Sequence, residues 1–218
     1  EEIELDFSLS NTNILENIST RPQYSWDFRT NTSDNIMYDD ISNYIATLYN
    51  NPTIDSVDGV LTGGYGSSNS NGQYVDLQDF AFGAPEFSIE VYFKYVSTSY
   101  WQRIFDIGNG TGNSNIVLYR NYNNPNEIIL ILLNGTNTII DYASGVMSGT
   151  NLQSGVYYHV FVTFSSDTIK VYIDNSLVKT FTGNYSTFLN ATRTNALLGR
   201  SNWPNDNNQG QINYRYFS

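Results

Sequence analysis

The segment Ser201-Asn-Trp-Pro-Asn-Asp-Asn-Asn208 joins one indole to a run of amide and carboxylate side chains. A flat aromatic face can stack on the C–H side of a pyranose, while Asn and Asp exchange hydrogen bonds with its hydroxyls. Trp203 is therefore the candidate stacking platform, and Asn202 and Asp206 are its candidate polar contacts, with Asn205 beside them. Tyr100-Trp101 and Tyr122 fall in other loops, so Trp101 and Tyr122 are candidates for the same rim. Stacking needs an exposed ring. A Trp203 buried with its indole N–H bonded internally would instead plug one end of the fold.

Hard oxygen ligands for calcium are available at Asp58, Asp76, Asp106 and Asp206. Asp58 and Asp206 are the metal candidates, set against the alternative of solvated loop carboxylates, and no cofactor is required. Glycoside hydrolysis needs two carboxyl groups about 5–9.5 Å apart, but no E-x-D-x-x-E strand occurs. Glu2, Glu4 and Asp6 share one face of a strand and read as a solvated outer face, and Glu90 is alone on its strand. His159 has no Gly-x-Ser-x-Gly elbow to serve, so it reads as a packing or hydrogen-bonding residue. No catalytic residue is assigned.

The elements that must hold these groups follow from composition and pattern. Ten Lys and Arg against 21 Asp and Glu give 10 − 21 = −11 over 218 residues, which argues against nucleic acid as a partner. Charged residues are only 14%, and the 29 Asn, 23 Ser and 19 Thr must do much of the wetting. The longest apolar run, Ile128 to Leu133, is far short of the ~20 residues of a membrane helix, so no membrane insertion is expected. With no Cys and one His there is no disulfide framework and no thiolate or multi-His metal site. The chain opens Glu1-Glu2 without Met, which reads as a processed, excised or partial product.

Period-two alternation recurs between Gly/Asn/Ser/Asp clusters, the signature of an all-β fold. It is clear at Ile3, Leu5 and Phe7, at Phe87 to Tyr95 and at Ile169 to Ile173. Glu127 to Leu133 is apolar on both faces, so it should be covered on both sides. Asn134-Gly135 offers two positive-φ residues for a hairpin, and Asp174-Asn175-Ser176 offers another turn. Ile41, Tyr44, Ile45 and Leu48 sit at helical spacing behind Asp39-Asp40 and argue for a helix.

Four pieces, in order, resemble the concanavalin A-like lectin/glucanase superfamily and its laminin-G-like and pentraxin-like domains. They are Gly72-Gln-Tyr-Val-Asp-Leu77, Phe87-Ser-Ile-Glu-Val-Tyr-Phe93, Tyr157-Tyr-His-Val-Phe-Val-Thr163 with Ile169-Lys-Val-Tyr-Ile-Asp174, and Leu198-Gly-Arg-Ser201 with Gly210-Gln-Ile212. The resemblance implies a jelly-roll sandwich of two antiparallel sheets over residues 33–218, with Phe87, Ile89, Val91, Phe93, Val160, Val162, Ile169, Val171 and Ile173 in its packing. It also makes Ala46 to Tyr49 the first strand and overrides the helix. Asn213 stands where the family has an acidic residue after "G-x-I", which weakens the transfer of a structural calcium site.

On this resemblance the function expected is non-enzymatic recognition of a glycan, a glycoprotein or another protein partner, outside the cell, at a cell surface or on a virion. The alternatives are a structural subunit of a virus coat or extracellular filament, whose partners would be other such subunits, and an inactive or atypical glycosidase. Residues 1–32 form a short N-terminal β extension, in which Tyr24, Trp26 and Phe28 repeat the alternation of Ile3 to Phe7. A two-stranded unit is marginal alone. The extension therefore packs on its own sandwich or adds to a neighbour's sheet edge, and in the second case deleting it should abolish self-association and leave the jelly roll folded. Sequons at Asn17, Asn31, Asn109, Asn134, Asn184 and Asn190 are no more than composition predicts.

Overall fold

Among the described residues, the alternating stretches at Phe87 to Tyr95 and Ile169 to Ile173 become strands. The computed structural model describes residues 22–30, 35–63, 72–77, 83–97, 99, 101–135, 137–204 and 210–218. In chain order the strands are β1 Trp26–Asp27, β2 Ile36–Tyr38, β3 Ile45–Tyr49, β4 Thr53–Asp55, β5 Gly59–Thr62, β6 Tyr74–Leu77, β7 Phe87–Tyr95 and β8 Arg103–Gly108. There follow β9 Asn115–Arg120, β10 Ile128–Asn134, β11 Asn137–Ile140, β12 Tyr157–Phe164, β13 Thr168–Ile173, β14 Ser176–Thr182, β15 Asn195–Leu198 and β16 Ile212–Phe217. Two one-turn helices, α1 Tyr142–Gly145 and α2 Ser186–Leu189, join them.

One sheet runs β14-β13-β12-β7-β16-β5-β4, with β1 also on β16. The other runs β11-β10-β9-β8-β15-β6-β3-β2. The long crossovers between non-consecutive neighbours and the antiparallel pairing make this the expected jelly-roll sandwich. Between the sheets, Ile89, Val91, Phe93, Val160, Val162, Ile169 and Val171 face Phe105, Ile107, Ile116, Leu118, Leu130 and Leu132, all buried. Each such side chain contributes roughly 1.5–3 kcal/mol. Phe87 is half-buried and stacks on Phe164 at 4.6 Å.

The helical spacing at Ile41 to Leu48 gives no helix: Ile45–Tyr49 form a strand, β3, as the resemblance implied, but it is not the first, since β1 and β2 precede it. Asp39 does cap, but it caps a turn: its carboxylate accepts the N–H of Ser25 at 2.5 Å and that of Ser42. The Asp174-Asn175 hairpin forms with both residues at positive φ (47° and 65°), and Ile173 pairs with Ser176. The hairpin at 134–137 is shifted from expectation. Asn134 stays in β10, paired with Asn137, and the positive φ falls on Gly135 at 65°.

β10 is covered on both sides. Ile128, Leu130 and Leu132 enter the core between the sheets, whereas Ile129 and Ile131 join Val117 and Tyr119 in a second cluster on the outer face. Residues 22–30 of the N-terminal extension pack on their own sandwich: Trp26 pairs with Phe217, and Trp26 and Phe28 are fully buried. Ile3, Leu5 and Phe7 lie outside the described residues, as do Glu2, Glu4 and Asp6. Among the described residues no helix is long and apolar enough to cross a membrane.

Candidate functional site

The second apolar cluster is the floor of a site. In register, Ile131 lies beside Val117 and Val117 beside Asp106, while Ile129 lies beside Tyr119 and Tyr119 beside Arg103. Just ahead of β8, Trp101 adopts φ 57°, a left-handed conformation that is strained for a bulky residue. Its indole lies parallel to Tyr119 (centroids 5.6 Å, planes 24° apart) and to Tyr122 (4.6 Å, 18°). The ring of Tyr142, at the start of α1, meets it edge-on at 5.5 Å. Tyr119 is buried, Trp101 half-buried, and Tyr122 and Tyr142 are exposed, so the aromatics rise in layers from sheet to solvent.

The opposite wall is the loop after β15. Asp106 points outward from β8, yet it has no exposed surface because this loop crosses over it. Its carboxylate accepts the Asn202 backbone N–H (2.8 Å), the Asn202 side-chain amide (2.9 Å) and the Asn115 amide (2.9 Å). Burial raises the Asp106 pKa, against the pull of Arg103 and of these donors. Ser201 Oγ accepts the N–H of Trp203 at 3.1 Å, and Thr111 Oγ donates to the Asn202 carbonyl at 3.3 Å. The half-buried Trp203 then packs on the second cluster.

Between the two walls lies a pocket of about 520 Å³, lined by Trp101, Arg103, Thr111, Ile131, Tyr142, Trp203 and Pro204. That volume is in the range of small-molecule sites, roughly 300–1,000 Å³. Arg103 is the charged member of the lining, held by a bond from Nη1 to the Trp101 carbonyl (2.8 Å) and by its stack on Tyr119 (4.9 Å). Aromatic walls with a few fixed polar groups suit a ligand that is apolar on its faces and polar at its edge, which describes a sugar ring.

Elsewhere the sequence candidates are engaged in structure. His159 Nε2 lies 2.5 Å from Glu90 Oε1, and Ser218 Oγ donates to Glu90 Oε2 at 3.2 Å. The hydroxyl therefore meets the carboxylate and not the imidazole, an arrangement unlike a nucleophile and its base. Asp58 accepts from Lys94 (2.9 Å) and from the Tyr157 hydroxyl, with Arg215 at 3.5 Å. These contacts, Lys94 first, hold its pKa below the usual carboxylate value. Asp76 is half-buried in β6. Among the described residues no three His, Cys, Asp or Glu side chains gather as for a metal ion.

The structure thus brings Trp101, Tyr122 and Trp203 to one site, with Asn202 beneath it, bonded to Asp106 and accepting from Asn195 at 3.3 Å. Tyr100 and Asp206 lie outside the described residues. Sequence reasoning missed Arg103, Thr111, Ile131 and Tyr142 as lining residues. Only Ile131 had left a signal, as an outward apolar residue in a strand apolar on both faces.

Solved structures share this architecture. A botulinum neurotoxin type C structure, concerned with cell entry dependent upon two ganglioside molecules, matches at 16% identity and TM-score 0.62 over 89% of this chain and 46% of that one. Domain 4 of an extracellular arabinanase from Geobacillus stearothermophilus, in complex with arabinotriose, matches at 16% and TM-score 0.56 over 89% and 91%. A carbohydrate-binding module of a Ruminococcus gnavus sialidase, bound to α2,3-sialyllactose, matches at 16% and TM-score 0.50 over 62% and 75%. The chain spans about half the length of the toxin chain, and at these identities the likeness is one of fold. No curated protein sequence matches. Residues 69–214, more than half of the chain, match a laminin G family model, and the protein belongs to the concanavalin A-like lectin/glucanases superfamily.

Proposed function

We propose that the domain is a non-enzymatic recognition module, acting outside the cell, that binds a glycan in the pocket between Trp101 and Trp203. The observation that carries this reading is the pocket itself: two indoles and an exposed tyrosine stand around an apolar floor. The arabinanase domain supports it, because that domain is nearly coextensive with this chain and its structure holds arabinotriose. Ganglioside interaction and bound sialyllactose in the other two point the same way. A sugar gains here by stacking its C–H face on an aromatic ring and by directing hydroxyls to Thr111 and Arg103.

The test is a glycan array with the purified domain, followed by titration calorimetry on each hit with wild type and Trp203→Ala. Saturable binding that Trp203→Ala weakens at least tenfold supports the reading. An array without saturable binding, or binding indifferent to both Trp203→Ala and Trp101→Ala, overturns it.

A further inference from the structure

We propose that Asp106 is the positioning residue of this site: its buried carboxylate fixes the 201–204 loop to the sheet and so sets where the Trp203 ring stands over Ile131. The significance of that position rests on the glycan-binding reading of the pocket, although the positioning itself does not.

Asp106 occupies an outward place on β8 between Val117 and Leu197, two apolar neighbours in register. A carboxylate buried there is costly unless its lone pairs are filled. They are filled mainly by the loop, through Asn202 N–H to Oδ2, Asn202 Nδ2 to Oδ1, and Ser201 Oγ to Oδ2 at 3.4 Å. Asn202 Nδ2 also donates to the Asp106 carbonyl at 3.1 Å, so a single loop residue grips both backbone and side chain of β8. Ser201 Oγ donates to Asp106 and accepts the Trp203 N–H, which places the carboxylate two hydrogen bonds from the tryptophan backbone. Asn115 fills the last acceptor from β9 and turns the carboxylate toward the loop.

The chemistry requires an acid here and not its amide. Donors converge on both oxygens, so an amide at this place would set an NH₂ group against N–H donors on one side. Bonds to a charged acceptor are also about twice as strong as neutral ones. The sandwich does not need this contact, because β8 is held by its ladders to β9 and β15.

The experiment is ¹⁹F NMR of the whole chain labelled with 5-fluorotryptophan, whose resonances are assigned with Trp203→Phe and Trp101→Phe. Asp106→Asn should shift or broaden the Trp203 resonance and leave that of the core residue Trp26 in place. Asn202→Ala, which cuts the same bonds from the solvent side, should do likewise and decides the matter should Asp106→Asn fail to fold. An unchanged Trp203 resonance in both single variants overturns the proposal, as does a Trp26 resonance that moves together with it. A glycan array without hits would defeat the binding reading and leave this result standing, so the two failures are separate.

Discussion

Arg193 meets Phe188 twice: Nη2 donates to its carbonyl at 2.6 Å, and the guanidinium carbon lies 4.5 Å over its ring. The other donors go to the carbonyls of Ser114 (2.6 Å), Ala191 (2.8 Å) and Leu189 (3.3 Å), so a buried cation ties α2 to the β8–β9 turn with carbonyls as its hydrogen-bond acceptors. Burial pulls its pKa down to about 10, which still leaves it charged at neutral pH. Arg193→Met keeps the volume and orphans these carbonyls, and should cost about 3 kcal/mol or more in urea unfolding. Arg193→Lys should recover less than half of that.

Trp203 and Trp101 should separate in their effects. Trp203→Ala removes a half-buried wall and should reduce glycan affinity at least tenfold while moving Tm by only a few degrees. Trp101→Ala also strips the stack from Tyr119 and Tyr122, so it should lower both affinity and Tm. Calorimetry and thermal melts on the two variants check this.

Gly59 (φ 77°) would bring an added Cβ within 2.0 Å of the Tyr214 carbonyl oxygen. Gly149 (φ 82°) has open space around it. Gly59→Ala therefore meets both a backbone clash and a left-handed φ, for roughly 3 kcal/mol or more, whereas Gly149→Ala meets only the φ, for about 1 kcal/mol. Chemical denaturation of both should give that ranking.

The pH dependence has a sign. The Asp58 pKa is lowered in the folded state, by Lys94 first, so its contribution is present above the unfolded value of 3.8 and is lost as pH falls through the lower folded value. Urea stability should be level near neutrality and decline below about pH 4, and Asp58→Asn should flatten that decline. Asp106 works in the opposite sense: with a raised pKa, its cost is present above the folded value and is relieved as pH falls toward 3.8.

Residues 22–30 should prove indispensable. Trp26 and Phe28 are fully buried, and they cover Phe217 at 6.3 Å and Tyr214 at 6.5 Å between ring centroids. Trp26→Ala should cost roughly 3–5 kcal/mol and about 10 °C in Tm. A chain starting at residue 35 should fail to give the cooperative melt of the full chain.

The fold was legible because alternation marks strands directly and the order of the landmarks fixes which strands are neighbours. The turns were less so. Asp174-Asn175 and Asn134-Gly135 looked equivalent as residues, and only the pairing partners Ser176 and Asn137 decide where each loop begins. At the site, Trp101, Tyr122 and Trp203 stood out as aromatics in polar loops. Arg103, Tyr142 and Thr111 did not: Arg103 opens a strand, and Tyr142 and Thr111 meet Trp203 in the pocket only across long separations in sequence. Asp106 was visible as a carboxylate, but nothing local announces that Asn202 will cover it.

The strand order of the first sheet bears on how the protein is made. β16, Ile212–Phe217, lies between β7 and β5 and also carries β1. A ribosome delivers that central strand after all of its partners, so the nascent chain must carry β5, β7 and β1 with open edges until the last of them can be zipped together. Closure across such separations is slow, and unpaired edges are where chains aggregate. Expression yield should therefore respond to translation rate and to chaperone supply more strongly than equilibrium stability alone would suggest.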